Sequence, residues 1–303
     1  MKFVVVGQGA IGLLWYSHFV KANLWPALLC SPRADETIKH MTLIDDEDQQ
    51  HIFSLNTIKP ENMFDADVII FCLKAYDILP ALKDYREEIN RNAQIILCHN
   101  GIISTQPIEE LFPHQTIYTL LTTHGSKKLD RFTIKHTGKG QSQLGELQHT
   151  SHNSRQQLTA ILNKACPQVT WHDDIKHLQW LKLAVNCVIN PLTAIYNINN
   201  GSLLQTQYQS LIKKLCEELV IIAAKENVDL NSDQLIENVR HVAKVTEENC
   251  SSMLADVRNG TTTEIEHING YIVHLANKHK QTVPANLSLY QQVNRLTTVK
   301  NAK

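Results

Sequence analysis

The chain opens with a short apolar run, Phe3 to Val6, that meets Gly7-Gln8-Gly9-Ala10-Ile11-Gly12 at once and continues as a helix-like pattern from Leu13 to Ala22. Strand, glycine turn and helix in that order leave few folds open. Gly7 permits a tight turn, Gly9 lets the backbone approach a pyrophosphate, and Gly12 lets the helix pack closely on the strand. The helix N-terminus adds amides and positive potential for an anion. Glycine turns also arise for purely structural reasons, but this placement predicts a Rossmann-type dinucleotide-binding domain, with Gln8, Ala10 and Ile11 on the same cofactor turn.

The next strand, Ala27 to Cys30, bears on which dinucleotide is bound. An NAD site places a carboxylate at this strand tip to hold the ribose hydroxyls. Here the tip reads Cys30-Ser31-Pro32-Arg33, and Ser31 and Arg33 suit a 2′-phosphate by hydrogen bond and charge. The expectation is NADP(H). The other reading has Asp35 or Glu36 folding back to serve NAD, with Arg33 merely solvated.

Further strands are legible at Asp67 to Leu73, Ala93 to Cys98 and Ile117 to Thr122, with a hairpin expected around Gly138-Lys139-Gly140. Lys74 and Asn100 stand just beyond strand ends, where an open α/β sheet binds ligands. Each has a plainer reading, Lys74 as a solvated lysine and Asn100-Gly101 as a turn. Gln148 to Arg155 is a polar loop, Gln156 to Ala165 a helix and Val169 to Trp171 an edge strand. Strand-like runs then vanish near Asp173-Asp174. Residues 1–173 are therefore expected to form the α/β domain and residues 174–303 an all-helical one, with helices at Leu203 to Asn227, Ser232 to Val245 and Glu264 to Lys280.

Length agrees, since 303 residues suit two cores. A net charge of −1 without a basic run argues against a nucleic-acid surface. The N-terminal apolar run is too short for a signal peptide or membrane span, so a cytoplasmic protein with no membrane association is expected. Seven dispersed cysteines without a CxxC pair suit reduced thiols. Fifteen histidines form no HExxH motif or Cys/His cluster, so no metal is expected.

Within the helical half, Trp180 to Tyr196 (WLKLAVNCVINPLTAIY) is apolar except for Lys182, Asn186 and Asn190, each four residues after the last. At about 100° per residue these three fall within an arc of about 80° over roughly 12 Å of axis. The stripe faces either water or a ligand. Pro191 has no N–H, so the Cys187 carbonyl loses its helical partner and a kink is expected beside Asn190. Downstream, the serines of Asn249-Cys250-Ser251-Ser252-Met253-Leu254 either cap a short helix or, with its first amides, hold a carboxylate. Glu264 heads a stripe with Ile268, Tyr271 and Leu275, bordering the apolar face unless it only favours the helix dipole.

Taken together, GQGAIG, CLKAY around Lys74, CHNG around Asn100, KLAVNCVINPLTA from Lys182, NNG ending at Gly201, NCSSML and TEIEHING resemble the ketopantoate reductase family over nearly the whole chain. That resemblance implies a Rossmann-type domain followed by an all-α domain of 6-phosphogluconate-dehydrogenase-like architecture. It implies NADPH-dependent reduction of 2-dehydropantoate to pantoate in pantothenate and coenzyme A synthesis, by a monomer or homodimer whose partner is the small-molecule substrate. Gly7 to Gly12, Lys74, Asn100 and Gly125 fall on the cofactor side. Lys182 resembles the family's proton donor, and Asn186, Asn190, Asn200 and the segment Ser252, Met253, Leu254 and Ala255 its substrate contacts. Glu264 resembles the glutamate at the cofactor–substrate junction and counts as both catalytic and cofactor-binding.

Three positions depart from the family pattern: Ser31 where an arginine ends the second strand, Ala255 where glutamine often follows SML, and Thr261 where a basic residue is common. The implied chemistry is hydride delivery from nicotinamide C4 with proton donation by Lys182, in a site that domain closure keeps dry. A related two-domain dehydrogenase acting on a different 2-keto or 2-hydroxy acid is the other reading.

Overall fold

A computed structural model describes residues 1–31, 39–148 and 155–301. Arg33, Asp35, Glu36 and most of the polar loop after Gln148 lie outside these. The chain divides into two compact units, one of Met1–His99 with Ser104–Ile175, the other of Asn100–Ile103 with Lys176–Lys303.

The first unit holds twelve strands among the described residues: β1 Phe3–Val6, β2 Ala27–Leu29, β3 His40–Ile44, β4 Gln50–Ser54, β5 Thr57–Ile58, β6 Val68–Phe71, β7 Gln94–Leu97, β8 Thr116–Thr122, β9 Gly125–Lys128, β10 Thr133–Gly138, β11 Ser142–Gln148 and β12 Val169–Trp171. Its helices are α1 Ala10–Lys21, α2 Ala75–Asp84, α3 Gln106–Leu111 and α4 Arg155–Ala165. The larger sheet has the order β12-β11-β8-β7-β6-β1-β2-β5, parallel from β5 to β8. Every residue of β1 and β6 is buried, as strands covered on both faces require. Leu13, Leu14 and Phe19 of α1 join Phe3, Val5, Val68 and Ile70 in one core.

A second sheet, β4-β3-β10-β9, was not expected from the sequence. Its short, partly polar strands bury little: β3 buries Met41 and Leu43 and β10 buries Ile134 and His136, whereas no residue of β4 or β9 is buried. The expected hairpin at Gly138-Lys139-Gly140 is not formed. β10 pairs with β3 and β9, whereas β11 pairs with β8 and β12 in the other sheet. Gly140 instead lets the chain cross between sheets, since a Cβ there would lie 2.4 Å from the carbonyl carbon of Thr123. Three imidazoles gather in this unit, His18 of α1, His124 before β9 and His136 of β10, with ring centroids 5.3 to 6.2 Å apart. Gly140 N–H donates to His124 Nδ1 at 3.2 Å, so that nitrogen is an acceptor and the Nε2–H faces Cys166 Sγ at 3.4 Å.

The second unit is helical: α5 Ile175–Tyr196, which enters from the first unit's last residue, α6 Thr206–Lys225, α7 Ser232–Val245, α8 Ser252–Asn259, α9 Asn269–Lys278 and α10 Pro284–Asn301. Leu183, Val188, Leu215, Leu219, Val239, Leu254, Ile272 and Val293 belong to one core drawn from all six of these helices. All seven cysteines are free thiols. Among the described residues, no helix is long and apolar enough to cross a membrane.

Candidate active site

The glycine turn of the first unit is shaped by backbone crowding. Gly7 has φ +110°, and a Cβ there would lie 2.5 Å from the Cys72 carbonyl oxygen. At Gly12 a Cβ would lie 2.1 Å from the Gly7 carbonyl oxygen, which is why helix and strand can meet so closely. Gly9 is different. It caps α1, is exposed, and would place its Cβ 3.9 Å from the nearest protein atom. Among the described residues nothing demands glycine there, so the open space on its outer side is the feature a pyrophosphate fits. Gln8 Oε1 is buried without a hydrogen-bond partner among the described residues.

Residues the sequence did not single out line the same turn. From β9, Ser126 Oγ donates to the Ala10 carbonyl at 3.2 Å and Lys128 Nζ to the Gln8 carbonyl at 2.8 Å. Burial lowers the Lys128 pKa, with a further contribution from nearby Arg131. Both cations act on Cys30 at the tip of β2, beside exposed Ser31. Their signal in the sequence was weak, because the hairpin carrying them belongs to the unexpected sheet. Gly125 begins β9, where a Cβ would lie 2.7 Å from Thr137 Oγ1. Lys74, half-buried, precedes the first turn of α2.

In the second unit, α5 carries the polar stripe. Leu183, Ala184, Val185, Cys187, Val188 and Ile189 are all buried, Lys182 and Asn186 are half-buried, and Asn190 is 7% exposed. The helix runs on through Pro191 to Tyr196. One turn on, Thr193 Oγ1 lies 2.8 Å from the Ile189 carbonyl, 3.0 Å from that of Asn190 and 2.7 Å from Ser251 Oγ. Ser251 in turn accepts from Leu254 N–H at 3.1 Å and so caps α8. Thus Ser251 is the capping serine and ties α8 to the Asn190 turn. Ser252 is exposed on the first turn of α8, whereas Met253 and Leu254 are core residues, so any polar contact they make falls to the backbone. Ala255 is half-buried.

Glu264 does not sit on the helix expected to carry it. Residues Ile265–His267 form a 3-10 turn, Ile268 breaks it at φ −110° and ψ −96°, and α9 starts at Asn269. The cause is Asn100-Gly101-Ile102. Ile102 N–H donates to the His267 carbonyl at 3.1 Å, the group a continuous helix would have offered to Tyr271. Gly101 has φ +74°, and a Cβ there would lie 2.3 Å from the same oxygen. This close approach sets Asn100 Nδ2 3.2 Å from Glu264 Oε2, with Glu264 only 4% exposed. Asn100, expected beside the cofactor at a strand end, thus has its amide on Glu264 within the helical unit.

Asn200 heads a 3-10 turn, Asn200–Leu204. Its Nδ2 donates to Thr246 Oγ1 at 2.9 Å and its N–H to the Asn249 carbonyl at 3.1 Å. The Oδ1 is buried without a partner among the described residues. Lys182, Asn186 and Asn190 thus share α5, α8 is docked on their last turn, and Asn100 is joined to Glu264.

Comparison with known proteins fits this arrangement. A family profile described as "Ketopantoate reductase PanE/ApbA" matches residues 3–149, and its C-terminal counterpart matches residues 174–297. The 2-dehydropantoate 2-reductase of Vibrio cholerae serotype O1 is 34% identical over 297 residues, 98% of each chain. That of Yersinia pestis is 33% identical over 302 residues, 97% of this chain and 95% of its own. Among solved structures, a D-mandelate dehydrogenase with NADH and anilino(oxo)acetate superposes with a TM-score of 0.93 at 21% identity, covering 99% of this chain and 100% of that one. A PanE/ApbA family ketopantoate reductase from Ralstonia eutropha JMP134 gives 0.89 at 24% identity, with the same coverage. With both halves matched in order and close relatives aligned end to end, this chain belongs to the ketopantoate reductase family.

Proposed function

We propose that this protein catalyses the NADPH-dependent reduction of 2-dehydropantoate to pantoate, the acid used in pantothenate synthesis. The observation that carries the reading is the wall on α5: Lys182 and two amides along the stretch whose other residues from Leu183 to Ala194 are buried, in a chain whose curated relatives are 2-dehydropantoate 2-reductases.

The nicotinamide cofactor supplies a hydride from C4 when bound. Reduction of the keto acid would leave negative charge on its carbonyl oxygen. Lys182, as an ammonium, stabilises this developing charge and transfers its Nζ proton to the oxygen. Asn186 and Asn190 orient the substrate without adding charge. The Ser252 hydroxyl and the N–H groups of Ser252 and Met253 suit its carboxylate, the Leu254 N–H being already given to Ser251. Glu264, steadied by Asn100, accepts a hydrogen bond from the substrate hydroxyl, and Asn200 Oδ1 offers a further acceptor.

For the cofactor, Gly7 to Gly12 and the first amides of α1 suit the pyrophosphate. Lys74 and Gly125 flank it in this reading. The preference for NADP(H) over NAD(H) in this reading rests on Ser31 and on Arg33 two residues later in the sequence, together with Lys128 and Arg131, whose charges act on Cys30 at the tip of β2. Equilibrium binding tests this directly: Arg33→Ala should raise the Kd for NADPH far more than that for NADH, and an equal loss for both would remove Arg33 from the 2′-phosphate.

A second reading, hydride transfer to a different 2-keto acid, has one observation in its favour, the 0.93 TM-score to D-mandelate dehydrogenase. Initial rates with ketopantoate, phenylglyoxylate and aliphatic 2-keto acids separate the two. Ketopantoate should have the highest kcat/KM by at least about tenfold, as expected of a site that hydrogen-bonds its substrate's hydroxyl.

A further inference from the structure

Pro191 lies inside α5, four residues after Cys187, so the Cys187 carbonyl lacks the N–H that the α-helical pattern would give it. Cys187 is fully buried, so water cannot serve that oxygen instead. The donor comes from another helix. Asn269 Nδ2, from the start of α9, donates to the Cys187 carbonyl at 2.9 Å across 82 residues of sequence. The same nitrogen donates to Asn286 Oδ1 at 3.0 Å. Asn286 Nδ2 then donates to Glu218 Oε2 at 2.8 Å, and the N–H groups of Ala285 and Asn286 donate to the two oxygens of that carboxylate at 2.8 and 2.9 Å.

The direction of this chain is set by chemistry. An ionised carboxylate only accepts, so Glu218 requires the NH2 of Asn286, which turns the Asn286 oxygen toward Asn269. That oxygen requires the NH2 of Asn269, whose second hydrogen is thereby aimed at Cys187. Asn269 and Asn286 are both fully buried, and Asn269 Oδ1 has no partner among the described residues. A buried amide that leaves its own oxygen unpaired costs stability, yet it closes the helix where proline opened it. The carbonyl it holds lies between Asn186 and Asn190. Asn269 also stands five residues after Glu264, at the end of the same short segment.

We propose that Asn269 is a positioning residue of the active site. It replaces the N–H that Pro191 lacks and fixes the α5 turn carrying Asn186 and Asn190 against the segment carrying Glu264. This rests on the reading of the α5 wall as the substrate site.

The test is Asn269→Ala, made alone and together with Pro191→Ala, which restores a local N–H for Cys187. The measurements are KM and kcat for ketopantoate, Kd for NADPH, melting temperature, and amide hydrogen exchange of the peptide spanning residues 186–196. Asn269→Ala should raise the ketopantoate KM by about tenfold with the NADPH Kd within about twofold, and should speed exchange in the peptide. Adding Pro191→Ala should recover most of the KM loss. If Asn269→Ala alone does not fold, the double variant is compared with Pro191→Ala, and their KM values should agree within about threefold. Exchange and KM that stay unchanged in folded Asn269→Ala overturn the proposal, as does a double variant with no recovery. Faster exchange with KM unchanged for every substrate overturns instead the reading of the α5 wall as a substrate site.

Discussion

The glycine turn of the first unit and the polar wall of the second both bring polar groups to the edge of an apolar core, but they draw on the chain over very different distances. Gly7, Gly9 and Gly12 act within six residues, and the decisive contact, Gly12 against the Gly7 carbonyl, is itself local. The α5 wall is held from far away. Its Cys187 carbonyl depends on Asn269, its Asn190 turn on Ser251, and Glu264 meets Asn100 across 164 residues. A motif made by backbone constraint can be read from a few letters. One made by side chains on separate helices cannot.

The largest expected effect separates the two. Lys182→Ala should lower kcat by at least about two orders of magnitude, the range general acid catalysis supplies, while NADPH binding stays largely intact. Steady-state NADPH oxidation and a fluorescence titration of NADPH check both halves. Near-normal turnover would detach Lys182 from the chemistry, and loss of NADPH binding would show that the wall serves both ligands.

Gly12→Ala is the reciprocal case and should be smaller in turnover. Its Cβ has no room beside the Gly7 backbone, so α1 must move away from β1, at a cost of about 1–3 kcal/mol. The melting temperature should fall, and the Kd for NADPH should rise by about tenfold, more than kcat at saturating cofactor falls. Calorimetry and cofactor titration read the two effects. Unchanged cofactor affinity in a destabilised variant would make the turn a packing device only.

This contrast also explains what was legible in the sequence. Six of the eight strands of the larger sheet, all but β5 and β11, follow with α1 and the helical half from strong periodicity, and Ser232–Val245 matches its expected bounds. β3 buries one face only and β4 buries no residue, so neither carries the apolar run that marks a buried strand in sequence. The pair Gly138 and Gly140 suggested a hairpin because a glycine needed for a backbone crossing looks like one needed for a turn. The start of α9 was misplaced because His267 gives its carbonyl to Ile102, a partner no local pattern reveals. Asn269 was passed over for the same reason: its donor role exists only because Pro191, far away in sequence, leaves a carbonyl open.

The smallest effect sharpens the comparison from the other side, by showing that the first unit also has a long-range element. Behind the glycine turn, burial lowers the pKa of His18 to about 3, with His136 and His124 adding repulsion, and that of His124 to about 4; His136 is lowered as well. A histidine with a depressed folded pKa leaves stability unaffected above its unfolded value of about 6.5 and subtracts from it as pH falls toward the folded value, because the unfolded chain then binds more protons. One pH unit below 6.5, His18 alone corresponds to a loss of about 1.4 kcal/mol, or about 3–6 °C in melting temperature for a unit of this size. His18→Leu should therefore flatten the fall in melting temperature between pH 7 and pH 5, whatever its own effect at pH 7. An unchanged slope would mean that the His18 imidazole reaches solvent before it is protonated, leaving the glycine turn supported by local packing alone.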